Sequence, residues 1–395
     1  MFEALIGLGP AGAFIAKHWQ VLGFYMLVGV LLYAFRSRLE FQGIVALYKT
    51  QFGVKFMTET GKKYPRFWHV IGLIAIIAGF IGMAFIIGYL FYGLYTLAFV
   101  PDAPPALSPV IPGVKIPGVP FTFPLWYTLG ALFFAIIVHE AMHGIMSSAY
   151  GVKIKSSGFA FLGPIPGAFV EPDEETMNKR SRRQQLGIIA AGPFANVVLA
   201  IIMIGLVMGL SALGGQLLVS DGVSYSEVQN LSAAKIAGMQ PNMTITAIDG
   251  QTITDVADLS KFLDAKQPGQ DILVTASEQN FRVSLGENPD AKGKAFMGVL
   301  GVQTKTHLKN DGMNWLYQIL LVVVALFSWT FVISLGIGIA NLLPLFMVDG
   351  GRMALMALQH FFKEEKAKMI WTRGGFFVLA IVLVLVFIPI LRAIF

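Results

Sequence analysis

The 395-residue chain is 55% hydrophobic and only 13% charged, with 29 Lys and Arg against 23 Asp and Glu, a net charge of +6. A soluble protein carries about 25% charged residues, so a soluble enzyme is excluded and a polytopic membrane protein is expected. The absence of cysteine excludes a disulfide framework and any Cys-based metal site.

Six apolar runs reach or exceed the roughly 18 residues that mark a membrane span. The first is predicted from about Gly12 to Phe35 and is long enough to remain as an anchor, so no cleavable signal peptide is expected. The preceding Gly7-Leu-Gly9-Pro-Ala-Gly12 matches GxGxxG, but no strand leads into it and an apolar span follows, so no dinucleotide site is read there. A basic loop, 36–68, follows, with Arg36, Arg38, Lys49, Lys55, Lys62, Lys63 and Arg66 against Glu40 and Glu59. Its end, Lys62 to His69, mixes basic and aromatic residues beside a span, which reads as an interfacial anchor rather than a nucleic-acid site.

Span two is His69 to about Phe99, and a Pro/Gly-rich loop, 101–124, precedes span three at Leu125 to about Ser147. Span four runs from about Leu186 to Leu213. Span five starts near Trp315 and is expected to break at Pro344. Span six is about Trp371 to Phe395.

Loops 36–68, 148–185 and 352–370 hold most of the Lys and Arg, whereas 214–313 has more acidic than basic residues. The positive-inside rule then places the basic loops in the cytosol and both termini outside. The segment from about Val219 to Gln303 differs in character. Its short alternating runs, such as Thr244 to Ile248 and Asp271 to Thr275, and its Asp249-Gly250 turn signal predict a small soluble domain of about 85 residues, facing outside. Two glycosylation sequons, at Asn230 and Asn242, agree with that side. The expected division is 1–213, 214–313 and 314–395.

The chemistry sits in span three. His139-Glu140-Ala141-Met142-His143 is an HExxH motif that follows fourteen uncharged residues, Leu125 to Val138. Positions i and i+4 share a helix face, so both imidazoles can hold one metal ion, and Glu140 can take a proton from a metal-activated water. At 1.5 Å per residue the motif lies about 21 Å along its helix, within the hydrocarbon and nearer the cytosolic face. Ionisable residues there cost several kcal/mol and default to a functional reading.

A hydrolytic zinc takes three protein ligands and keeps one position open. Position 149, where an extended motif would place a third histidine, is Ala149. Glu171, Glu174 and Glu175, in the loop after the span, are candidates. So is Asp349, in Asn341-Leu-Leu-Pro-Leu-Phe-Met-Val-Asp349-Gly350-Gly351, where the glycines are expected to allow tight turns.

HExxH in one span, Gly192-Pro193-x-x-Asn196 in the next and NxxPxxxxDGG later resemble the site-2 protease family of intramembrane zinc metalloproteases. The resemblance covers nearly the whole chain. It implies His139, His143 and Asp349 as ligands of one zinc ion per chain, with Glu140 as general base. It implies Asn341 as a substrate-binding residue. Asn196 is either another or a buried asparagine bonding between helices. It also implies transmembrane protein substrates, cut within the bilayer at a site near the cytosolic face of a multi-pass cell-membrane protein.

Val152 to Glu171 alternates around Gly163-Pro164, the pattern of a β-hairpin; in the family a comparable hairpin dips into the membrane and offers a free strand edge. The stretch Asn230 to Gly250 resembles a PDZ domain, departing from the usual pattern at Asn242 and Met243, and such a domain would bind peptide C-termini. The expected fold is thus a polytopic α-helical membrane protein of about six transmembrane helices, with a membrane-associated β-hairpin and an inserted small α/β PDZ-like domain. Two other readings remain open. One is an HExxH protease with its site at the cytosolic surface; the other is a PDZ-bearing membrane scaffold without activity.

Overall fold

A computed structural model describes residues 9–43, 45–101, 103–162, 165–289 and 291–395. Among the described residues, six helices are long and apolar enough to cross a membrane: Ile15–Ala34, Pro65–Phe99, Leu125–Ala149, Arg182–Gln216, Asp311–Ala340 and Glu364–Ile394. The chain divides into two compact units, Met1–Val207 with Val323–Phe395, and Met208–Val322.

The first unit opens with α1 (Gly9–Ala34), kinked at His18. Segment 36–68, read from sequence as a basic loop, instead carries β1 (Glu40–Gln42), β2 (Val45–Thr50) and α2 (Val54–Lys63). Next come α3 (Pro65–Phe99) and α4 (Leu125–Ala149). β3 (Ile154–Leu162) and β4 (Ile165–Pro172) form the expected hairpin, although its Gly163-Pro164 turn lies outside the described residues. So does Gly7 of the GxGxxG match. β2 adds to β3 with Leu47 opposite Ala160 and Tyr48 opposite Phe159. The hairpin is therefore half of an antiparallel sheet in the order β1-β2-β3-β4, with β4 on one edge.

Helix α5 (Arg182–Gln216) carries Pro193 in its interior. Helix α6 (Asn314–Ala340) ends four residues before Pro344, so the proline lies in the linker rather than at the break itself. Two further helices close the unit, α7 (Asp349–Phe361) and α8 (Glu364–Ile394). Gly350 and Gly351 do not form a turn; both are helical and buried within α7.

Lipid-facing helices need no single polar stripe, and many large apolar side chains are exposed, Phe133 and Phe134 on α4 and Phe85 on α3 among them. Small residues mark the packed faces. On α4, Ala131 and Ala135 are fully buried and cluster with Ile333 of α6. On α2, Met57 clusters with Ile145 of α4 and Ile154 of β3, which fixes the sheet beside α4.

The second unit contains a six-stranded antiparallel sheet. Its strands are β5 (Leu218–Ser224), β6 (Thr244–Ile248), β7 (Asp271–Ala276), β8 (Gln279–Ser284) and β9 (Gln303–Leu308), in the order β8-β7-β6-β5-β9, with a short strand Gln251–Thr252 paired to β6. Helices Ala233–Ile236 and Val256–Asp264 accompany it, and Tyr225, Ile245, Ile272 and Val274 lie in its core. Asp249 and Gly250 make the turn after β6 with φ of 50° and 77°. Asn242 takes a left-handed φ of 66°, a conformation asparagine tolerates.

Candidate metal centre

On α4, His139 and His143 sit one turn apart. Their Nε2 atoms face each other at 3.1 Å. Asp349, the first residue of α7, brings Oδ2 to 3.1 Å from His139 Nε2 and 3.4 Å from His143 Nε2. All three ligand atoms lie within 4.8 Å of one another, and among the described residues this is the one such group of three.

The chain around Asp349 explains how a residue so distant in sequence arrives there. The Gly350 N–H donates to the Asn341 carbonyl at 2.6 Å, folding the linker back on the end of α6. A Cβ on Gly350 would lie 2.5 Å from the Leu343 carbonyl oxygen, and one on Gly351 would lie 2.6 Å from the Leu345 carbonyl carbon. The two glycines thus serve close approach rather than a turn. Trp371 of α8 donates its indole N–H to the Gly351 carbonyl at 2.8 Å, which ties down the first turn of α7.

Each histidine is oriented from behind. His143 Nδ1 is 2.8 Å from the Ile188 carbonyl, which can only accept, so Nδ1 carries a proton and in the neutral ring Nε2 is the free lone pair. Asn196 of α5 is fully buried, with Nδ2 3.3 Å from His139 Nδ1, while its Oδ1 has no partner among the described residues. Rotating that amide by 180° puts the orphaned oxygen on His139 Nδ1–H and leaves Nε2 bare as well. Ser334 of α6 donates to the Asn196 carbonyl at 2.9 Å, so this residue also bonds between helices.

These residues fit a zinc ion. Donors about 2 Å from a common centre in a tetrahedral set lie roughly 3.3 Å apart, close to the separations found. With both rings neutral and protonated on Nδ1, two Nε2 lone pairs and a carboxylate oxygen converge on one point, an arrangement that suits a cation between them. Gly192 leaves the room: a Cβ there would lie 2.6 Å from His139 Nε2 and also against His143 Nε2.

Glu140 points elsewhere on the same helix, and its Oε2 accepts the Val170 N–H of β4 at 2.9 Å. It lines, with the two histidines, Asp349, Asn341 and Val170, a cavity of about 280 Å³. Asn341 donates to the Ile337 carbonyl at 3.1 Å and shares that cavity. The three glutamates offered as alternative ligands are not brought in. Glu171 accepts the Ser156 hydroxyl at 2.6 Å and faces Lys49 at 3.4 Å, contacts that hold its carboxyl below the usual range. Glu174 and Glu175 are exposed at the start of a short helix, Glu174–Asn178. Sequence reasoning missed the contact of Gly192 with the histidines and the bond from Val170 to Glu140, because neither leaves a periodic signal.

Residues 127–382 match peptidase family M50, the site-2 protease family. This chain belongs to peptidase family M50. It is a zinc metalloprotease and, with its six apolar helices, a multi-pass membrane protein. An uncharacterised protein of Methanocaldococcus jannaschii is 26% identical over 357 residues, 87% of each chain. A protein of Agrobacterium fabrum named "Putative zinc metalloprotease" is 23% identical over 262 residues, 52% of this M50 chain and 66% of its own. One of the same name in Campylobacter jejuni is 22% identical over 341 residues, 65% of this chain and 88% of its own.

Proposed function

We propose that this M50 protease is an intramembrane endopeptidase that cuts transmembrane segments of membrane proteins, with one zinc held by His139, His143 and Asp349. The observation that carries the reading is the meeting of two histidines of an apolar membrane helix with Asp349, at the start of α7, beside Glu140. When bound, zinc supplies Lewis-acid chemistry that acidifies a water and polarises the scissile carbonyl. Glu140 takes a proton from the attacking water at a carboxylate oxygen. It then returns that proton to the amide nitrogen as the C–N bond breaks. Asn341, on the cavity wall, binds the substrate backbone. Asn196 acts through His139 and between helices, a positioning role in place of direct substrate contact.

A helical substrate has its carbonyls engaged, so it must unwind before attack. The outer edge of β4 would hold the unwound segment as an added strand. The basic loops 36–68, 148–185 and 352–370 support placing the site near the cytosolic face. By the same rule residues 214–313 lie outside. We assign them as a PDZ-like domain that takes peptide C-termini.

The test is cleavage of a single-span membrane reporter by wild type and Glu140→Gln, with zinc content measured in both. The expected result is cleavage lost by roughly 10²- to 10⁴-fold with zinc retained. Cleavage by Glu140→Gln at the wild-type rate would refute the base assignment.

A further inference from the structure

Glu140, Phe169 and Val170 line a second cavity as well, of about 640 Å³. It lies between one face of the sheet and helices α2 and α4. Its walls include Phe56, Met57, Ile137, Ala141, Phe159 and Phe169. Apart from Glu140, the charged residues that line it are Lys55 and Glu59, whose side chains are 89% and 68% exposed and so stay with solvent at its mouth. The space exists because β4 presents small side chains to it. Ala168 pairs with Phe159 and Val170 with Ser157 across the hairpin, which puts all four on one face.

The outer edge of β4 points to the same place. The Val170 N–H faces outward, since it donates to Glu140. Alternation along the strand puts Pro166, Ala168 and Pro172 on that edge too. The two prolines have no N–H to offer and Val170 gives its own to Glu140, so the outward donor of β4 left for a paired segment is that of Ala168. A segment paired to this edge is confined to the stretch beside Glu140. Its side chains alternate between faces, and every second one points to the face shared by Ala168 and Val170, where the cavity lies.

We propose that this cavity is a side-chain subsite of the protease that takes a large apolar residue close to the cut bond. The proposal rests on the endopeptidase reading above. The probe is a single-span reporter in liposomes whose cut bond is mapped by mass spectrometry. Each residue within three positions of the bond is then set in turn to Ala, Leu and Phe.

At one position, wild type should favour Leu and Phe over Ala by at least about tenfold in kcat/KM. Ile137→Trp, which fills the cavity, should remove that preference, so that the Ala, Leu and Phe reporters are cut at rates that no longer differ. Phe159→Ala, which widens it, should extend the preference to Trp and provides a check if the tryptophan variant fails to fold. Cleavage of the whole series at one rate, still abolished by Glu140→Gln, would overturn the subsite and leave the endopeptidase reading standing. No cleavage of any reporter would take both down.

Discussion

The backbone N–H of Val170 donates to the Glu140 carboxylate at 2.9 Å, joining the acidic residue of the HExxH helix to the edge strand of the sheet. The proposed base and the proposed substrate-binding edge are thereby set against each other by one hydrogen bond. A bond to a charged group contributes about 1.5–3 kcal/mol.

Val170→Pro removes that donor. The strand already carries Pro166 and Pro172 on the same outward edge, so the sheet should form. Turnover is expected to fall by about 10- to 100-fold with zinc content unchanged. Steady-state kinetics and elemental analysis on the same preparation check this; loss of zinc together with activity would show that the substitution disturbed the ligands instead.

Gly192→Ala should eject the metal. A helix interior favours Ala over Gly by about 1 kcal/mol, so the fold should not suffer on propensity grounds. The added Cβ would sit 2.6 Å from His139 Nε2. Bound zinc is expected to fall well below the wild-type level while the far-ultraviolet circular dichroism spectrum stays that of wild type. Full zinc occupancy would mean that the cradle between the imidazoles is not the site.

Asn196 separates two arrangements of one amide. If its oxygen accepts from His139 Nδ1–H, Asn196→Asp should keep zinc affinity better than Asn196→Ala. The alanine variant should lose roughly 10- to 100-fold. Competition with a chelator measures both, and a weaker aspartate variant would mean that the amide nitrogen faces the ring.

Gly351→Ala places a Cβ 2.6 Å from the Leu345 carbonyl carbon, against backbone that has nowhere to move. Overpacking of this kind costs about 1–3 kcal/mol. It would also shift Asp349 two residues away. Lower thermal stability with weakened zinc binding is expected; a wild-type melting curve and zinc level would contradict the close approach.

Several of these features were legible in the sequence. The i, i+4 spacing of His139 and His143 within an uncharged run states both helix and chemistry, because a membrane helix tolerates such residues only for a purpose. Asp349 is 210 residues from His139, and no local pattern links them; the NxxPxxxxDGG resemblance singled it out, and the fold brings the two within hydrogen-bonding distance. The segment 36–68 looked like a loop because its charges dominate it, yet Val45–Thr50 becomes a strand through pairing with β3, a long-range contact. Gly350 and Gly351 looked like turn formers because glycine is permissive. Their real constraint is steric, and it appears only when the Leu342 to Leu345 backbone is in place.

The most direct test of the account is the zinc content of purified protein, wild type and Asp349→Ala, by elemental analysis. About one zinc per chain is expected in wild type, with its loss or marked weakening in Asp349→Ala, joining helix α4 and the start of α7 in one centre. Full zinc in Asp349→Ala would contradict it and remove Asp349 from the ligand set.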